Sequence, residues 1–326
     1  MRKFTCACGQ PLFFENTRCL TCDRRVGFDP KAFEMVPLPD AVGNRKLCRN
    51  SSDYDVCNWL LPEQDGKYCI SCRLNDTIPN LLDPDRRRWW KQLEHAKRRL
   101  IYSLLELGLP VVGKNKDPNG LAFCFIEDKR TNPGVFEEHV ATGHQNGMIT
   151  INIAEADEVR REITRQYTGE LYRTLLGHFR HESGHYYYNR LINNNERVNA
   201  FRELFGDETV DYAKALKKYY AKKDSLPYDP DMISHYAQSH PLEDWAEVWS
   251  HYLHMIDTLE TASAYGLEQG SMRWDDIEIT LSKWTELSIS LNALNRSMGL
   301  EDAYPFVLSD LSFKKLRFVH SLIYPS

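Results

Sequence analysis

The chain has 326 residues and a mass of 38.0 kDa, a length that predicts two domains at roughly 150 residues each. Hydrophobic residues make up 42% and charged residues 27%, which is typical of a globular protein and excludes disorder over most of the chain. The 41 Lys and Arg and 46 Asp and Glu give a net charge of −5, which argues against a general nucleic-acid binder. No segment approaches the roughly 20 apolar residues of a membrane-spanning helix.

The N-terminus and the cysteines indicate a cytoplasmic protein. The sequence reaches Cys6 before the apolar core of a secretory signal is possible, so we expect no cleaved leader. Eight of the nine cysteines lie between residues 6 and 72, and cytoplasmic proteins rarely join such cysteines as disulfides. Metal binding is the better explanation of the cluster.

Two sets of four cysteines have the spacing of structural zinc sites. The first set has two close pairs ten residues apart, as the knuckles of a zinc ribbon do; it consists of Cys6, Cys8, Cys19 and Cys22. The second set is spaced more loosely but closes with a C-x-x-C pair; it consists of Cys48, Cys57, Cys69 and Cys72. We therefore predict a double zinc-ribbon region over residues 1–78. Cys124 lies in an apolar stretch, where we expect a buried small hydrophobe.

The charge of the cysteine-rich region bears on what it binds. Residues 1–82 contain 11 Lys and Arg and 10 Asp and Glu, so the region lacks the basic surface of a typical nucleic-acid binder. We expect the ribbons to dock onto the rest of the chain or onto a protein partner, and we do not expect a nucleic-acid partner.

Local patterns predict several elements. Residues 26–47 contain Pro30, Pro37, Pro39 and Gly43 and are typical of a connector. Asp83-Pro84 predicts the start of a helix that continues to about residue 107. Its many basic side chains form either an anion-binding stripe or a solvated or internally paired face, and we favour the second interpretation. The segments 121–126 and 147–153 have the patterns of buried and half-buried strands.

The strand at 147–153 has two possible roles. An edge strand before the motif described below is able to pair with an extended peptide, in which case Thr150 and Asn152 face the cleft or solvent. An interior strand with no contact to a substrate is an equally good interpretation. From about residue 156 to the C-terminus the pattern is almost entirely helical.

The motif that indicates chemistry is His181-Glu182-Ser183-Gly184-His185. Residues four apart share one face of a helix, so both imidazoles are able to reach one metal ion. Glu182 lies one step round the helix, in a position suited to a general base that acts on water. Metzincins continue this motif with Gly and a third His, but Tyr188 and Leu191 occupy those positions here, which excludes that class.

A third zinc ligand is expected from a later helix. The segment after Pro241 places Glu243 and Glu247 one turn apart on a single face. Glu243 is our candidate for the ligand, and Glu247 for the carboxylate that orients a ligand histidine through its ring N–H. Glu247 itself and His251 lie on the same stripe and stay open as alternatives for the ligand.

H-E-x-x-H followed by E-x-x-A-E resembles the gluzincin metallopeptidases. The whole chain resembles a bacterial family known as "putative zinc-binding metallopeptidases", in which a zinc-ribbon segment precedes a gluzincin-like domain. The matching stretches are the ribbon cysteines and residues 147–157, 176–188, 240–252 and 304–307. The resemblance implies that His181, His185 and Glu243 bind zinc, that Glu182 is the general base and that Glu247 is the outer carboxylate.

A peptidase also needs a hydrogen-bond donor for the oxyanion of the tetrahedral intermediate. Tyr236, seven residues before Glu243, resembles a tyrosine of some toxin gluzincins, and His240 is a second candidate. Tyr228 is a weaker one.

We therefore predict an α+β protein with small zinc-ribbon modules at 1–78 and a mostly helical, zincin-like domain with a small sheet at 79–326. The predicted function is zinc-dependent hydrolysis of peptide bonds in a peptide or protein substrate, with one catalytic and two structural zinc ions. The alternatives are a catalytically silent zinc-ribbon adaptor and a DNA-associated protease. No membrane partner is expected.

Overall fold

The computed structural model describes residues 1–39, 45–62, 66–168, 174–268 and 274–325, and it divides into two compact units, residues 1–179 and 180–326. The strands are β1 (Phe4–Thr5), β2 (Pro11–Leu12), β3 (Arg25–Asp29), β4 (Glu34–Leu38), β5 (Asn75–Thr77), β6 (Ala122–Ile126), β7 (Gly143–Gln145) and β8 (Met148–Asn152). The helices are α1 (Arg49–Tyr54), α2 (Pro84–Glu106), α3 (Glu158–Thr168), α4 (Leu175–Leu191), α5 (Asn195–Phe205), α6 (Tyr212–Lys222), α7 (Pro241–Ala264), α8 (Ile277–Ser297) and α9 (Asp310–Ile323).

The first ribbon is built from two short hairpins with tight knuckles at its cysteines. Strand β1 pairs antiparallel with β2, and β3 pairs antiparallel with β4. The first knuckle closes with a bond from Gly9 N–H to the Cys6 carbonyl, and Gly9 adopts a φ of 88°, a left-handed conformation that favours glycine. The second knuckle closes with a bond from Asp23 N–H to the Cys19 carbonyl.

The β3–β4 hairpin corrects one prediction. Residues 26–47 were expected to be a connector, but Val26 and Phe28 are buried on β3 and pair with β4. The prolines concealed the strand pattern: Pro37 lies within β4, which is the second strand of a two-stranded sheet and tolerates a missing N–H group. Gly43, which was part of the connector prediction, lies outside the described residues.

An aromatic cluster joins the ribbon to helix α2 within the first unit. The ring of Phe14 lies 5.3 Å from that of Tyr102 on α2, and Phe28 lies 5.1 Å from Trp59. All four side chains are almost fully buried. The ribbon therefore docks onto a helix of its own chain, which is one of the two expected modes.

Helix α2 confirms the helix predicted after Asp83. The Asp83 carboxylate caps it by accepting bonds from the N–H groups of Asp85 and Arg86. The basic side chains are internally paired, as favoured: Arg86 with Glu127 at 2.9 Å, and others with Asp55, Glu15, Glu94 and the Val56 carbonyl. The basic stripe is therefore a structural feature of the first unit.

A four-stranded sheet in the order β5-β6-β8-β7 completes this unit. Strands β6 and β8 confirm the two predicted strands, and Cys124 on β6 is buried, with its pKa raised by burial. Strand β8 is interior, because the unpredicted β7 covers its outer edge. The edge-strand interpretation is therefore wrong.

Asn152 is also not exposed as that interpretation required. Only 2% of its surface is accessible, and its Nδ2 donates to Asp128 and to the Val140 carbonyl. Strand β5 precedes residue 78 and pairs with β6, so the sheet includes a strand from the predicted ribbon region. The domain boundary near residue 78 stays a prediction.

The described part of the second unit is helical, with α7 at its centre. Helix α7 packs against α5, α8 and α9, and its buried face includes Trp245, Trp249, Tyr252 and Leu259. A buried ion pair of 2.6 Å joins Asp244 on α7 to Lys315 on α9. The chain as a whole has an α+β fold, as predicted. Within the described residues, no helix has the length and apolarity that crossing a membrane requires.

Candidate metal centre

Close packing of α4 against α7 forms the candidate site. The approach depends on Gly184, because a Cβ atom there would lie 3.0 Å from the Cα of Ala246 and 3.2 Å from the Cβ of Trp249. Ala246 is the alanine of E-x-x-A-E and is fully buried. The two small residues of the two motifs therefore face each other and allow their helices to approach.

Hydrogen bonds fix the register of the two helices. The indole N–H of Trp245 donates to the Gly184 carbonyl at 2.8 Å, and the indole N–H of Trp249 donates to Ser183 Oγ at 3.0 Å. These bonds satisfy polar groups that burial would otherwise leave unpaired. Ser183 and Gly184, the two variable positions of H-E-x-x-H, thus hold α7 in the register in which its carboxylates face the histidines.

The side chains of His181, His185 and Glu243 converge at this helix interface. Nε2 of His181 lies 3.0 Å from Oε2 of Glu243, and Nε2 of His185 lies 3.4 Å from Oε1. One ligand atom from each residue lies within 4.8 Å of the others. Two imidazoles and one carboxylate are the donor set of many catalytic zinc sites.

Glu247 lies on the other side of the His181 ring. Its Oε1 is 2.7 Å from Nδ1 of His181, so the ring contacts a carboxylate at each nitrogen. Burial opposes protonation of His181, but the two carboxylates outweigh burial and raise its pKa well above the ordinary value. Burial raises the pKa of Glu243, but hydrogen bonds from both histidines outweigh this effect and lower it. Such a site favours positive charge, as a divalent cation provides.

Glu182 lies beside this centre and is 8% exposed. Burial raises its pKa, and the positive fields of His181 and His185 only partly offset that effect. A buried carboxylate with a raised pKa binds a proton more readily than an ordinary glutamate does, which is the property of a general base.

The two predicted oxyanion donors differ in their surroundings. The Tyr236 ring lies 6.0 Å from the His181 ring, and its hydroxyl has no hydrogen-bond partner among the described residues. His240 caps α7: its Nδ1 accepts from the Leu242 N–H at 3.1 Å, and its Nε2 lies 3.0 Å from the Val210 carbonyl. Both ring nitrogens of His240 are therefore engaged.

The remaining predicted alternatives, His251 and Tyr228, have hydrogen-bond partners outside the histidine pair. His251 contacts Tyr304 through Nδ1 at 2.7 Å, and burial lowers its pKa to about 4. The Tyr228 hydroxyl donates to the Met232 carbonyl. Neither side chain belongs to the group whose ligand atoms converge.

Tyr212, at the start of α6, also contacts the centre and was missed by sequence reasoning. Its hydroxyl donates to Oε1 of Glu243 at 2.6 Å. It lies 31 residues before Glu243, in a lysine-rich segment. The Tyr212 residue itself is 42% exposed. The chain has 17 tyrosines, and nothing in the sequence distinguishes Tyr212 from the others as a partner of Glu243.

In both cysteine sets the four sulfurs lie within 4.8 Å of one another, close enough to share one zinc ion. Sulfur–sulfur distances are 3.7 Å for Cys6 and Cys22 and 3.6 Å for Cys8 and Cys19. Zn–S bonds of about 2.3 Å in a tetrahedron place the sulfurs about 3.8 Å apart. In the second set all four cysteines are buried, and two of its sulfurs lie 3.7 Å apart.

Backbone N–H groups also lower the pKa of one thiol in the first set. Those of Cys22 and Thr21 lower the pKa of Cys19 to about 6, although burial opposes them. A thiol with a lowered pKa ionises more readily, and the thiolate is the form that binds zinc. Both sets therefore fit zinc in donor type, number and spacing.

Comparison with known families identifies the class of the protein. A family model described as "Putative zinc-binding metallo-peptidase" matches residues 86–322, and a zinc-ribbon domain model matches residues 3–83. The first match covers more than half of the chain. The protein therefore belongs to this zinc-binding metallopeptidase family and has an N-terminal zinc ribbon.

Similar proteins occur in mycobacteria. Uncharacterized proteins of Mycobacterium tuberculosis (strain H37Rv) and Mycobacterium bovis are 42% identical over 334 aligned residues, which cover 99% of this chain and 95% of each relative. The similarity therefore includes both the ribbon and the peptidase region. No solved structure matches the chain.

Proposed function

We propose that the protein is a gluzincin-type zinc metallopeptidase that hydrolyses peptide bonds in a peptide or protein substrate. The observation that carries the proposal is the convergence of His181, His185 and Glu243 within 4.8 Å at the interface of α4 and α7. His181 and His185 would hold the ion through Nε2, with Glu243 as the third ligand. Zinc in such a site supplies a Lewis acid that polarises the scissile carbonyl and makes water more acidic.

In this proposal Glu182 moves the proton. It accepts a proton from the attacking water and later delivers it to the nitrogen of the leaving amine. Its burial and raised pKa support this role, because the carboxylate holds the proton between the two steps. Glu247 orients His181 by accepting a hydrogen bond from its Nδ1–H group, and Nε2 is then the nitrogen that would bind the metal.

We assign the oxyanion donor to Tyr236 rather than to His240. The Tyr236 hydroxyl has no competing partner among the described residues, whereas His240 uses both ring nitrogens in structural contacts. Burial and the negative charges of Glu243 and Glu182 raise the pKa of Tyr236, so its phenol stays protonated and able to donate.

The test measures zinc content and hydrolysis of a denatured protein such as casein. We expect the wild type to hold three zinc ions, in the two cysteine sets and the histidine site. A His181→Ala/His185→Ala variant is expected to hold two and to lose hydrolysis. Equal zinc content in the two proteins would contradict the metal centre, and unchanged hydrolysis would contradict the peptidase function.

A further inference from the structure

Tyr212 stands out because a half-exposed residue of a lysine-rich helix makes a short bond to a buried carboxylate. Helix α6 has no fully buried residue, yet its first residue donates to Oε1 of Glu243 at 2.6 Å. Glu243 itself is only 1% exposed. A phenol–carboxylate bond of this length is a strong, charge-assisted hydrogen bond.

The chain around Tyr212 is held in place by His240, the residue that caps α7. His240 Nε2 lies 3.0 Å from the carbonyl of Val210, two residues before Tyr212. The rings of His240 and Tyr212 are 5.0 Å apart and nearly perpendicular. Asp211 caps α6 by accepting from the Lys214 N–H. His240 thus fixes the backbone from which Tyr212 reaches Glu243, three residues along α7.

The bond to Tyr212 fixes the orientation of the Glu243 carboxylate. Oε1 accepts the Tyr212 hydroxyl and lies 3.4 Å from Nε2 of His185, whereas Oε2 lies 3.0 Å from Nε2 of His181. Rotation of the carboxylate would break the bond from Tyr212 and move its oxygens away from the two imidazoles. The bond therefore holds Glu243 in the orientation in which it would bind a metal ion together with both histidines.

We propose that Tyr212 is a positioning residue that holds the Glu243 carboxylate toward both histidines for metal binding, and that His240 acts through Tyr212 by anchoring Val210. This inference rests on the proposed zinc site. It assigns the two residues to support of the metal ligand and not to contact with the substrate. Partners of metal ligands typically contribute 10- to 100-fold to metal affinity.

The experiment measures zinc affinity of the histidine site by chelator competition, with the His181→Ala/His185→Ala variant as the reference for the two cysteine sites. Tyr212→Phe is expected to weaken zinc binding about 10- to 100-fold. Two neighbours on α6 provide matched controls. Tyr219→Phe removes a bond to His235 that also holds the helix, and Tyr220→Phe removes a hydroxyl from a side chain that is 57% exposed. Both controls are expected to keep wild-type affinity.

Three outcomes overturn the inference in distinguishable ways. Wild-type zinc affinity in Tyr212→Phe would show that the bond to Glu243 does not support the ligand. Equal losses in Tyr212→Phe and Tyr219→Phe would assign the effect to general loosening of α6. Absence of a third zinc from the wild type itself would overturn the proposed metal centre together with the role of Tyr212.

Discussion

Nδ1 of His181 lies 2.7 Å from Oε1 of Glu247, on the side of the ring away from Glu243. A carboxylate only accepts in such a contact, so Glu247 keeps a proton on Nδ1, and Nε2 would bind a metal ion that takes the place of the proton it shares with Glu243. Glu247 therefore selects the tautomer of His181 that is able to bind a metal. The E-x-x-A-E spacing places the proposed ligand, Glu243, and the carboxylate that contacts Nδ1, Glu247, on adjacent turns of one helix.

We expect Glu247→Ala to weaken zinc binding at the histidine site by about 10- to 100-fold, because His181 loses the partner that orients its ring. Glu247→Gln is expected to have a smaller effect, since an amide oxygen still accepts from Nδ1. Chelator competition measures both affinities. Equal affinities in Glu247→Ala and the wild type would argue against this role.

Glu182→Gln separates chemistry from metal binding. The amide is nearly the same size as the carboxylate but does not accept the proton, so we expect hydrolysis to fall by roughly 100- to 10,000-fold. Zinc content is expected to remain at the wild-type value, because Glu182 is not a proposed ligand. Casein hydrolysis and metal analysis on the same sample provide the two measurements. Full activity in this variant would favour a non-catalytic adaptor.

Gly184→Ala tests the contact between α4 and α7. The added Cβ meets the backbone of Ala246 at 3.0 Å, and backbone moves less easily than a flexible side chain. We expect a loss of about 1–3 kcal/mol in the free energy of unfolding and weaker zinc binding, since displacement of α7 moves Glu243. Thermal unfolding and chelator competition measure the two effects. At Gly143 an added Cβ meets nothing within 4 Å, so Gly143→Ala should be close to neutral.

The elements that the sequence predicted best have strong local signals. Asp83-Pro84 marks the start of α2, and the alternating isoleucines mark β8. The prediction of an edge strand was wrong because strand order depends on β7, a three-residue strand at Gly143–Gln145 without an apolar pattern. Pairing between separate segments is a long-range property that local periodicity does not contain.

In the candidate site, too, residues with a local sequence pattern were predictable and residues joined by long-range contacts were not. His181, His185, Glu243 and Glu247 were predictable because fixed spacing on two helices places each pair on one face. Tyr212 was not, because its contact depends on how α6 returns to the start of α7. His240 was predicted as an alternative oxyanion donor to Tyr236, but its ring nitrogens contact the Leu242 N–H and the Val210 carbonyl, and these contacts depend on the fold.

Cys48→Ser tests the second cysteine set. Cys48 is fully buried with the other three sulfurs, so we expect this variant to lose one zinc ion and to unfold at a lower temperature, since structural zinc contributes folding free energy directly. Cys124→Ser is the matched control, because Cys124 lies on β6 outside both sets and should leave the zinc content unchanged. Loss of one zinc in both variants would contradict the assignment of the ligands.

The buried pair of Asp244 and Lys315 gives a prediction that does not depend on metal. Each side chain is 1% exposed, and Nζ lies 2.6 Å from Oδ2. Lys315→Met leaves an uncompensated charge beside Glu243, so we expect a loss of about 3–5 kcal/mol in the free energy of unfolding. Asp244→Asn/Lys315→Met removes both charges and should recover much of that loss. Denaturant unfolding of the four proteins in a double-mutant cycle measures the coupling. A double variant as unstable as the sum of the two single variants would show that the ion pair contributes no coupling, and the loss would then come from other contacts of Lys315, such as the position of its Nζ 5.4 Å from the centre of the Phe205 ring.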